Sequence, residues 1–498
     1  MVTPAGLAAA LDAWRQALGT AHVRTATDDG QSEGLRTFGR PAHVAATLRP
    51  GSPDDVSAAL AIASRHGVPV HPVSRGANWG LGSRAPLADG GVVIDLGRMA
   101  AITRLDARSG IVHVEAGVTF RDLHAWLGEH APDYFLPTIG GPVTASVLAN
   151  ALDRGDAIFC DRWSSVSDFD VVLADGTRMA TGHPAFSPLA GRGIAPAGGM
   201  VEGLFSQSNL GIVTGAWLRL QPTPDSLSGW IVDIGARERL PAFIDAWRDL
   251  QREGTIPDRS LTLWNGIKRL AKTSRRADHA PDRIAGAQLD DWHCSGFLAG
   301  ETADILGLRD RRFHARIAPL ARRLSHHPIR TGGSWQPHGA DIFATPKQAN
   351  LRTAYWREDA APALDAMDPD RDGCGMIWLC LALPFEGHAI LDLATLCRER
   401  LARDDIDLNL GIEAASFRTA LAYVTISYRR GADADTAALA AYEDVLALCG
   451  AAGAAPYRLA NGAPLPAGLA GETRTAMLRR IRDSLDPAGI LSPGRAGV

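Results

Sequence analysis

Short runs of apolar residues, separated by polar and glycine-rich breaks, predict alternating helices and strands in the first half of the chain. In chain order the spacing predicts a helix at 53–66, strands at 68–73, 91–96, 102–106 and 111–115, and a helix through Phe120, Leu123 and Leu127. Asp175-Gly176 separates two further strand-like pieces and is a strong hairpin signal. This half is therefore expected to be mixed α and β.

The second half continues with strand and helix patterns. The predicted elements are strands at 229–234, 376–383 and 420–428, helices at 238–252, 391–401 and 436–448, and a last helix that starts near Met477 and stops at Pro487. The segment 275–286 is polar and has no period, so we expect an exposed loop there. The order of these elements suggests an antiparallel sheet with helices on one face.

The segment 73–83 directly follows the strand predicted at 68–73 and contains glycines at 76, 80 and 82. Glycine permits positive φ and close approach of a ligand to the main chain, and successive free amides form an anion site. The loop therefore predicts a cradle for phosphate or pyrophosphate. Ala85 replaces the third glycine of a nicotinamide fingerprint, and no Gly-Lys-Ser/Thr closes the run, so neither that fold nor a P-loop is predicted.

A second glycine cluster at 136–146 leads through Asn150 to Gly155. Two such loops could close on opposite sides of one elongated ligand, whereas a single loop could not. The pair therefore favours a dinucleotide cofactor.

Composition narrows the function further. A chain of 498 residues with 46% hydrophobic residues suits two domains, and 51 basic against 55 acidic residues give no reason to expect nucleic-acid or membrane binding. Six cysteines without a Cys-x-x-Cys pair argue against disulfide, zinc and iron–sulfur frameworks, so a reducing, cytoplasmic location fits best. Residues 1–23 have the pattern of an amphipathic helix, not of a signal peptide. His326-His327 is interpreted as a surface pair, and no metal is predicted.

Three motifs in one order carry a resemblance to a known family. They are Ser74-Arg75-Gly76-Ala77-Asn78-Trp79-Gly80, Leu148-Ala149-Asn150-Ala151-Leu152-Asp153-Arg154-Gly155 and Phe205-Ser206-Gln207-Ser208-Asn209-Leu210-Gly211-Ile212-Val213-Thr214. In this order, and over most of the chain, the sequence resembles the vanillyl-alcohol oxidase and p-cresol methylhydroxylase flavoproteins. The resemblance implies an α+β protein: a PCMH-type FAD-binding domain of two α+β subdomains, plus a cap domain with an antiparallel sheet covered by helices.

The resemblance also implies a division of the chain. We expect the N-terminal part of the FAD-binding domain at 1–224, the cap or substrate domain at 225–455, and a segment at 456–498 that returns to the FAD-binding domain. The residues implied to hold FAD are Ser74, Arg75, Gly76, Ala77, Asn78, Trp79, Gly80, Gly82, Ile139, Gly140, Gly141, Val143, Ser146, Asn150, Gly155, Ile212, Val213 and Arg495.

Three residues are implied to be catalytic. Tyr457-Arg458 matches the pair with which phenol-oxidising relatives hold their substrate as phenolate. A guanidinium donates charged hydrogen bonds to an anionic oxygen and lowers the phenol pKa, which promotes hydride loss from the para carbon. Asp161 matches an acidic residue near the flavin, implied to act as base toward a quinone methide or the water that adds to it.

The sequence departs from the family at two places. Leu81 stands where phenol-oxidising members carry a third tyrosine anchor, so the substrate need not be a simple para-alkylphenol. Leu421 and Ala422 occupy the strand on which other members carry a histidine tether. We therefore expect non-covalent FAD, with a link through Tyr423 or Tyr428 as the open alternative.

Three functions remain open at this point. The first is an FAD-dependent oxidase or dehydrogenase that takes hydride from a benzylic or carbinol carbon of a phenolic or related aromatic small molecule. The second is oxidation of an alcohol or 2-hydroxy acid, and the third is a non-redox reaction such as cyclisation in the cap pocket. Oxygen or a cytochrome is the expected electron acceptor, and a homodimer is left open.

Overall fold

The computed structural model describes residues 4–25, 33–87, 89–137, 140–184, 187–463 and 471–495. The helices are α1 Pro4–Leu18, α2 Pro53–His66, α3 Phe120–His130, α4 Val147–Leu152, α5 Leu240–Arg252, α6 Gly266–Leu270, α7 Pro281–Leu289, α8 Ala303–Ile317, α9 Gly339–Phe343, α10 Gly387–Leu401, α11 Ala432–Ala451 and α12 Glu472–Leu485.

The strands fall into an N-terminal and a C-terminal set. The first is β1 Val23–Thr25, β2 Glu33–Gly34, β3 Ala42–Leu48, β4 Val70–Val73, β5 Gly91–Asp95, β6 Ile102–Asp106, β7 Ile111–Glu115, β8 Tyr134–Phe135, β9 Asp156–Ala157, β10 Cys160–Asp161, β11 Val166–Val172, β12 Arg178–Ala180, β13 Ile212–Arg219 and β14 Gln221–Pro222. The second is β15 Ser226–Gly235, β16 Leu261–Trp264, β17 Trp292–Gly300, β18 Arg323–Thr331, β19 Ser334–Trp335, β20 Cys374–Pro384, β21 Asn409–Ser416, β22 Thr419–Arg429 and β23 Ala455–Arg458.

The N-terminal part contains two sheets that share one hydrophobic core. In the first, β5 pairs in parallel with β3 and β4, and in the second the order is β12-β11-β13-β7-β6. Helix α2 begins where the Ser52 hydroxyl accepts a hydrogen bond from the Asp55 amide, and it ends at Gly67 with φ 62°. Leu491, near the C-terminus, pairs with Val70, so the tail returns to the first sheet. These are the two α+β subdomains expected from the resemblance.

The cap is built on one nine-stranded antiparallel sheet of order β19-β18-β15-β17-β16-β21-β22-β20-β23. Side chains alternate between its faces, and one face packs under α5, α8, α10 and α11 in a single hydrophobic core. In β21, Leu410 and Ile412 are fully buried on that face, whereas Gly411 and Glu413 point to the other. The predicted antiparallel sheet with helices on one face is confirmed.

Several details differ from the sequence prediction, and three of them concern the cap. The segment 275–286 is not an exposed loop, because α7 starts at Pro281 and buries Ile284 and Ala287. Strand β21 was not predicted. Strand β23 pairs with β20 of the cap, so the predicted division between 455 and 456 falls inside a strand of the cap sheet.

Two further expectations concern metals and membranes. His326 lies on β18 with its Nε2 3.2 Å from the Asp310 carboxylate of α8, an acidic partner from another element. Within the described residues, no helix is both long and apolar enough to span a membrane.

Candidate functional site

A cavity of about 1160 Å³ lies between the two glycine-rich loops and the cap sheet. It is larger than most pockets for a single small ligand, so it offers room for a dinucleotide together with a substrate. The N-terminal domain supplies one wall and the side of the cap sheet opposite to its helices supplies the other.

The first glycine loop presents free main-chain donors to this cavity. Among the described residues, the amides from Arg75 to Trp79 donate no hydrogen bond to another protein group. The Gly80 amide instead donates to Thr37 Oγ1 at 2.9 Å. Unpaired main-chain amides next to a cavity are suited to the oxygens of a diphosphate.

Gly80 also brings the loop against the cap. Its φ is +76°, and a Cβ atom there would lie 2.1 Å from Trp378 Cδ1 of β20. A side chain at this position would push the loop and the cap sheet apart, so the glycine is required by close approach as well as by backbone conformation.

Most of the predicted cofactor residues border the cavity. Those that do are Ser74, Arg75, Gly76, Ala77, Asn78, Trp79, Gly140, Gly141, Ser146, Asn150, Ile212, Val213 and Arg495. Gly80, Gly82, Val143 and Gly155 are not among the bordering residues and support the loops from behind. Ile139 lies outside the described residues.

One charged network joins the two domains beside the cavity. The Arg458 guanidinium donates to Asn78 Oδ1 at 3.0 Å, and Asn78 Nδ2 donates to Asp153 Oδ2 at 3.0 Å. Arg495 donates to the other Asp153 oxygen at 2.9 Å. Arg458 is also 3.8 Å from Asp153, so both arginines already face a carboxylate.

The predicted base, Asp161, is placed away from the cavity. It lies on β10, directly opposite Asp156 of β9 in the register of that small hairpin. Asp156 borders the cavity and Asp161 does not. Of the two paired carboxylates of this hairpin, the structure therefore brings Asp156 to the cavity and not the predicted Asp161.

Tyr457 and Arg458 occupy different places. Arg458 borders the cavity, whereas Tyr457 packs behind Tyr423, with their ring centroids 6.4 Å apart. Burial raises the pKa of the Tyr457 hydroxyl well above its ordinary value. Tyr423 borders the cavity and donates to Asp156 Oδ2 at 2.9 Å, whereas Tyr428 is not among the bordering residues. Of the two tyrosines considered for a flavin link, only Tyr423 is in position.

A row of side chains across five strands forms the cap wall of the cavity. In register, Trp264 of β16 lies beside Gly411 of β21, which lies beside Tyr423 of β22, then Cys380 of β20 and Arg458 of β23. All five border the cavity. The antiparallel register, and not proximity in sequence, brings these residues together.

Glu413 is the acidic group of the cap wall. It is buried two residues along β21 from Gly411. Burial raises its pKa to about 7, although the Arg259 charge and the nearby Tyr423 hydroxyl act in the opposite direction. Arg259 also pairs with Asp156. A buried carboxyl group that titrates near neutrality beside a cavity is suited to proton transfer.

Several bordering residues were missed by the sequence prediction, among them His71, Gln207, Lys268, Lys272 and Trp378. Gln207 lies within a quoted motif, and its side chain donates to the Tyr457 carbonyl at 2.9 Å. His71 is neutral because burial lowers its pKa to about 3. The two lysines could have been noticed in the sequence because lysine is rare in this chain, which contains only these two and Lys347.

The site fits FAD. Free amides stand at the first loop, the second loop lines the same cavity, and Ile212 and Val213 add apolar surface. Asn150 Oδ1 is buried without a protein partner and belongs to a residue that borders the cavity. An elongated ligand with polar and aromatic parts would satisfy these groups.

Comparison with known proteins agrees with this reading of the cavity. The FAD binding domain family matches residues 44–182. The 1'-carboxy-chondrochloren decarboxylase of Chondromyces crocatus is 31% identical over 98% of this chain and 96% of its own length. The flavoprotein subunit of 4-cresol dehydrogenase from Pseudomonas putida is 24% identical over 89% of this chain and 86% of its own.

Two solved structures share the whole fold. p-Cresol methylhydroxylase with substrate bound superposes with a TM-score of 0.87 at 22% identity, covering 100% of this chain and 98% of the other. The 4-ethylphenol oxidase of Gulosibacter chungangensis superposes with a TM-score of 0.86 at 20% identity, again over 100% and 98%. With full-length similarity in both sequence and fold, the chain belongs to the vanillyl-alcohol oxidase and p-cresol methylhydroxylase family of FAD-dependent oxidoreductases.

Proposed function

We propose that this oxidoreductase removes hydride from a carbon next to the ring of a phenolic or related aromatic substrate held against the cap wall. The observation that carries the proposal is the row Trp264, Gly411, Tyr423, Cys380 and Arg458, which combines aromatic surface with a cation on one face of the cavity. Bound FAD supplies the hydride acceptor.

Three residues of this chain would carry out the accompanying proton transfer: Glu413, Arg458 and Tyr423. A phenol that loses its proton pushes electron density toward the para position, which favours departure of hydride from the carbon attached there. Glu413 is suited to take that proton, because its carboxyl group is buried beside the cavity and its pKa is raised to about 7. Arg458 provides positive charge for the resulting phenolate at the β23 end of the row. Tyr423 lies between them in the sheet and contacts both Asp156 and Glu413.

A second candidate is oxidation coupled to loss of carbon dioxide, and the 31% identical decarboxylase supports it. After hydride leaves the carbon beside the ring, the neighbouring carbon releases its carboxylate as carbon dioxide. The electron pair of the broken bond then forms a carbon–carbon double bond and restores the phenolate. Each turnover would convert one carboxylated phenol into one alkenyl phenol with two electrons transferred.

Anaerobic bleaching of the flavin separates these functions. We expect 4-alkylphenols or their carboxylated analogues to bleach the purified protein, and carbon dioxide release to accompany bleaching only for the second candidate. Bleaching by aliphatic 2-hydroxy acids alone would overturn the aromatic proposal. Tight binding without any bleaching would favour a non-redox reaction in the cap pocket.

A further inference from the structure

Every lysine of this protein borders the cavity. Of 51 lysine and arginine residues only three are lysines, Lys268, Lys272 and Lys347, and the other 48 basic positions are arginine. Positions over the rest of the surface therefore use arginine, and the lysines are concentrated where a ligand would bind. Lysine is a compact point charge, whereas arginine is a planar fork, so the two residues suit different partners.

Lys268 is held in place by its neighbours but has no charged partner. It lies on α6, where the Asn265 side chain accepts a hydrogen bond from the Lys268 amide. Its Cε is 3.3 Å from the point that a Cβ atom of Gly411 would occupy, so its stem packs on the glycine of the cap row. Its Nζ lies 4.4 Å from the centre of the Trp378 ring. This ammonium is buried without a hydrogen-bond partner.

Lys272 extends the same positive region. Its Nζ lies 3.4 Å from the centre of the Trp264 ring, and the groups that act on its charge are Lys268 and Lys347. The buried thiol of Cys380 acts on Lys268 from the neighbouring cap wall. Among the described residues, no carboxylate forms an ion pair with either ammonium. Lys347 is exposed and donates to the Ile342 carbonyl at 3.3 Å.

Two ammonium groups that face a cavity without a counter-ion are costly to the folded protein, because a buried charge requires a partner. A ligand anion would satisfy that requirement. Trp378 links the lysines to the proposed reaction site, because its ring centroid is 6.3 Å from that of Tyr423 and it also contacts Lys268. The positive region therefore begins one aromatic ring away from Tyr423.

We propose that Lys268 and Lys272 form a binding site for a carboxylate of the substrate. The substrate is then an aromatic acid whose carboxylate lies toward the lysines while its ring lies near Tyr423. This inference rests on the proposed aromatic function, and it adds a binding site for an acid group that the first candidate does not specify and the second requires. Arg458 is not the partner of that carboxylate, because it lies at the β23 end of the row, where the proposed function assigns it to the phenolate oxygen.

Matched ligands test the site. 3-(4-Hydroxyphenyl)propanoate and 4-ethylphenol differ by one carboxyl group, and 3-phenylpropanoate has the acid without the phenol. Dissociation constants are measured on the FAD-loaded protein from flavin absorbance changes or by calorimetry. Charged hydrogen bonds to a buried ammonium predict that the hydroxyphenyl acid binds at least tenfold more tightly than 4-ethylphenol.

Substitutions test whether the two lysines cause the preference for ligands that carry a carboxylate. Lys268→Met and Lys272→Met keep side-chain length and remove charge, and each is expected to weaken binding of both acids about 10- to 100-fold. Binding of 4-ethylphenol should change less than twofold. Arg269→Met is the matched control, because Arg269 follows Lys268 on α6 but pairs with Asp291 and does not border the cavity. It should leave all three affinities unchanged.

The outcomes separate this inference from the proposed function. Acid affinities that survive both substitutions, or an equal loss for acids and 4-ethylphenol, would overturn the carboxylate site. Loss of bound FAD from the lysine variants would also overturn it, since the positive charge would then serve the cofactor. If phenols fail to bleach the flavin while 3-phenylpropanoate binding still depends on the lysines, the proposed function fails and the carboxylate site stands.

Discussion

Positive charge is paired at one end of the row that forms the cap wall and unpaired at the other end. At the β23 end, Arg458 bonds to Asn78 and lies near Asp153, which Arg495 also contacts. At the β16 end, Lys268 and Lys272 rest on tryptophan rings, and within the described part of the chain neither forms an ion pair with a carboxylate. The paired charges join the cap to the cofactor loops, and the unpaired charges remain available to a ligand. Whether a charged side chain has an ion-pair partner is therefore a better guide to ligand binding than whether it borders the cavity.

Glu413 lies between these ends, and its substitution is expected to have the largest effect. Glu413→Gln removes the proton acceptor but keeps its size, so we predict a roughly 10²- to 10⁴-fold loss of turnover. In the native protein kcat/KM should rise with pH through about 7 as the carboxyl group loses its proton. Steady-state kinetics across pH should show that this rise is absent from the variant. A native profile that stays flat around pH 7 would exclude Glu413 as the base.

The substitution Arg458→Ala tests whether the arginine at the paired end of the row contributes to turnover. We predict a loss of turnover of about 10²- to 10³-fold, because a positive charge facing the phenolate is removed from a low-dielectric site. FAD should be retained, since Arg458 bonds only to the side chain of Asn78 in the first loop and not to the main-chain amides of that loop. Turnover and the ratio of flavin to protein are measured on the same preparation. Unchanged turnover would show that Arg458 serves only to join the domains.

Binding of an acid by Lys268 and Lys272, at the unpaired end of the row, should depend on pH. Burial lowers the pKa of Lys268 to about 8, and burial together with the neighbouring lysines lowers the pKa of Lys272 to about 7. An anion binds the protonated ammonium, so acid affinity should be highest at low pH and fall as pH rises through 7 and 8. Loss of the Lys268 proton alone predicts about tenfold weaker binding of 3-phenylpropanoate at pH 9 than at pH 7. Titration calorimetry at the two pH values measures this change, and equal affinities would contradict it.

Much of the fold was readable from local pattern. Strands β6 and β7 and helix α2 were predicted with their observed bounds because their periodicity is strong and their ends carry clear turn or capping signals. Strand β21 was missed because Gly411 and two alanines weaken its apolar alternation. Glycine is required there for a reason outside the strand, because the Lys268 stem packs against it. Helix α7 was missed because only a few of its residues contact the core.

The site was readable only in part. The cofactor loops are recognisable in the sequence because glycines follow the ends of strands. Most of the residues predicted there border the cavity. The cap wall has no such signal in the sequence, because Trp264, Tyr423 and Arg458 come together through the register of strands that are far apart in sequence. That Asp156 and not Asp161 borders the cavity could not be predicted for the same reason, since the two are paired across a hairpin and only the three-dimensional fold decides which one lies at the cavity.

The rarity of lysine has a practical consequence for anyone who handles this protein. Reagents that modify side-chain amines, such as succinimidyl dyes or aldehyde resins, usually decorate an enzyme's exterior, but here two of the three available targets lie inside the cavity. Tagging or immobilisation through these groups would plug the catalytic chamber, so attachment should be directed to other chemistry.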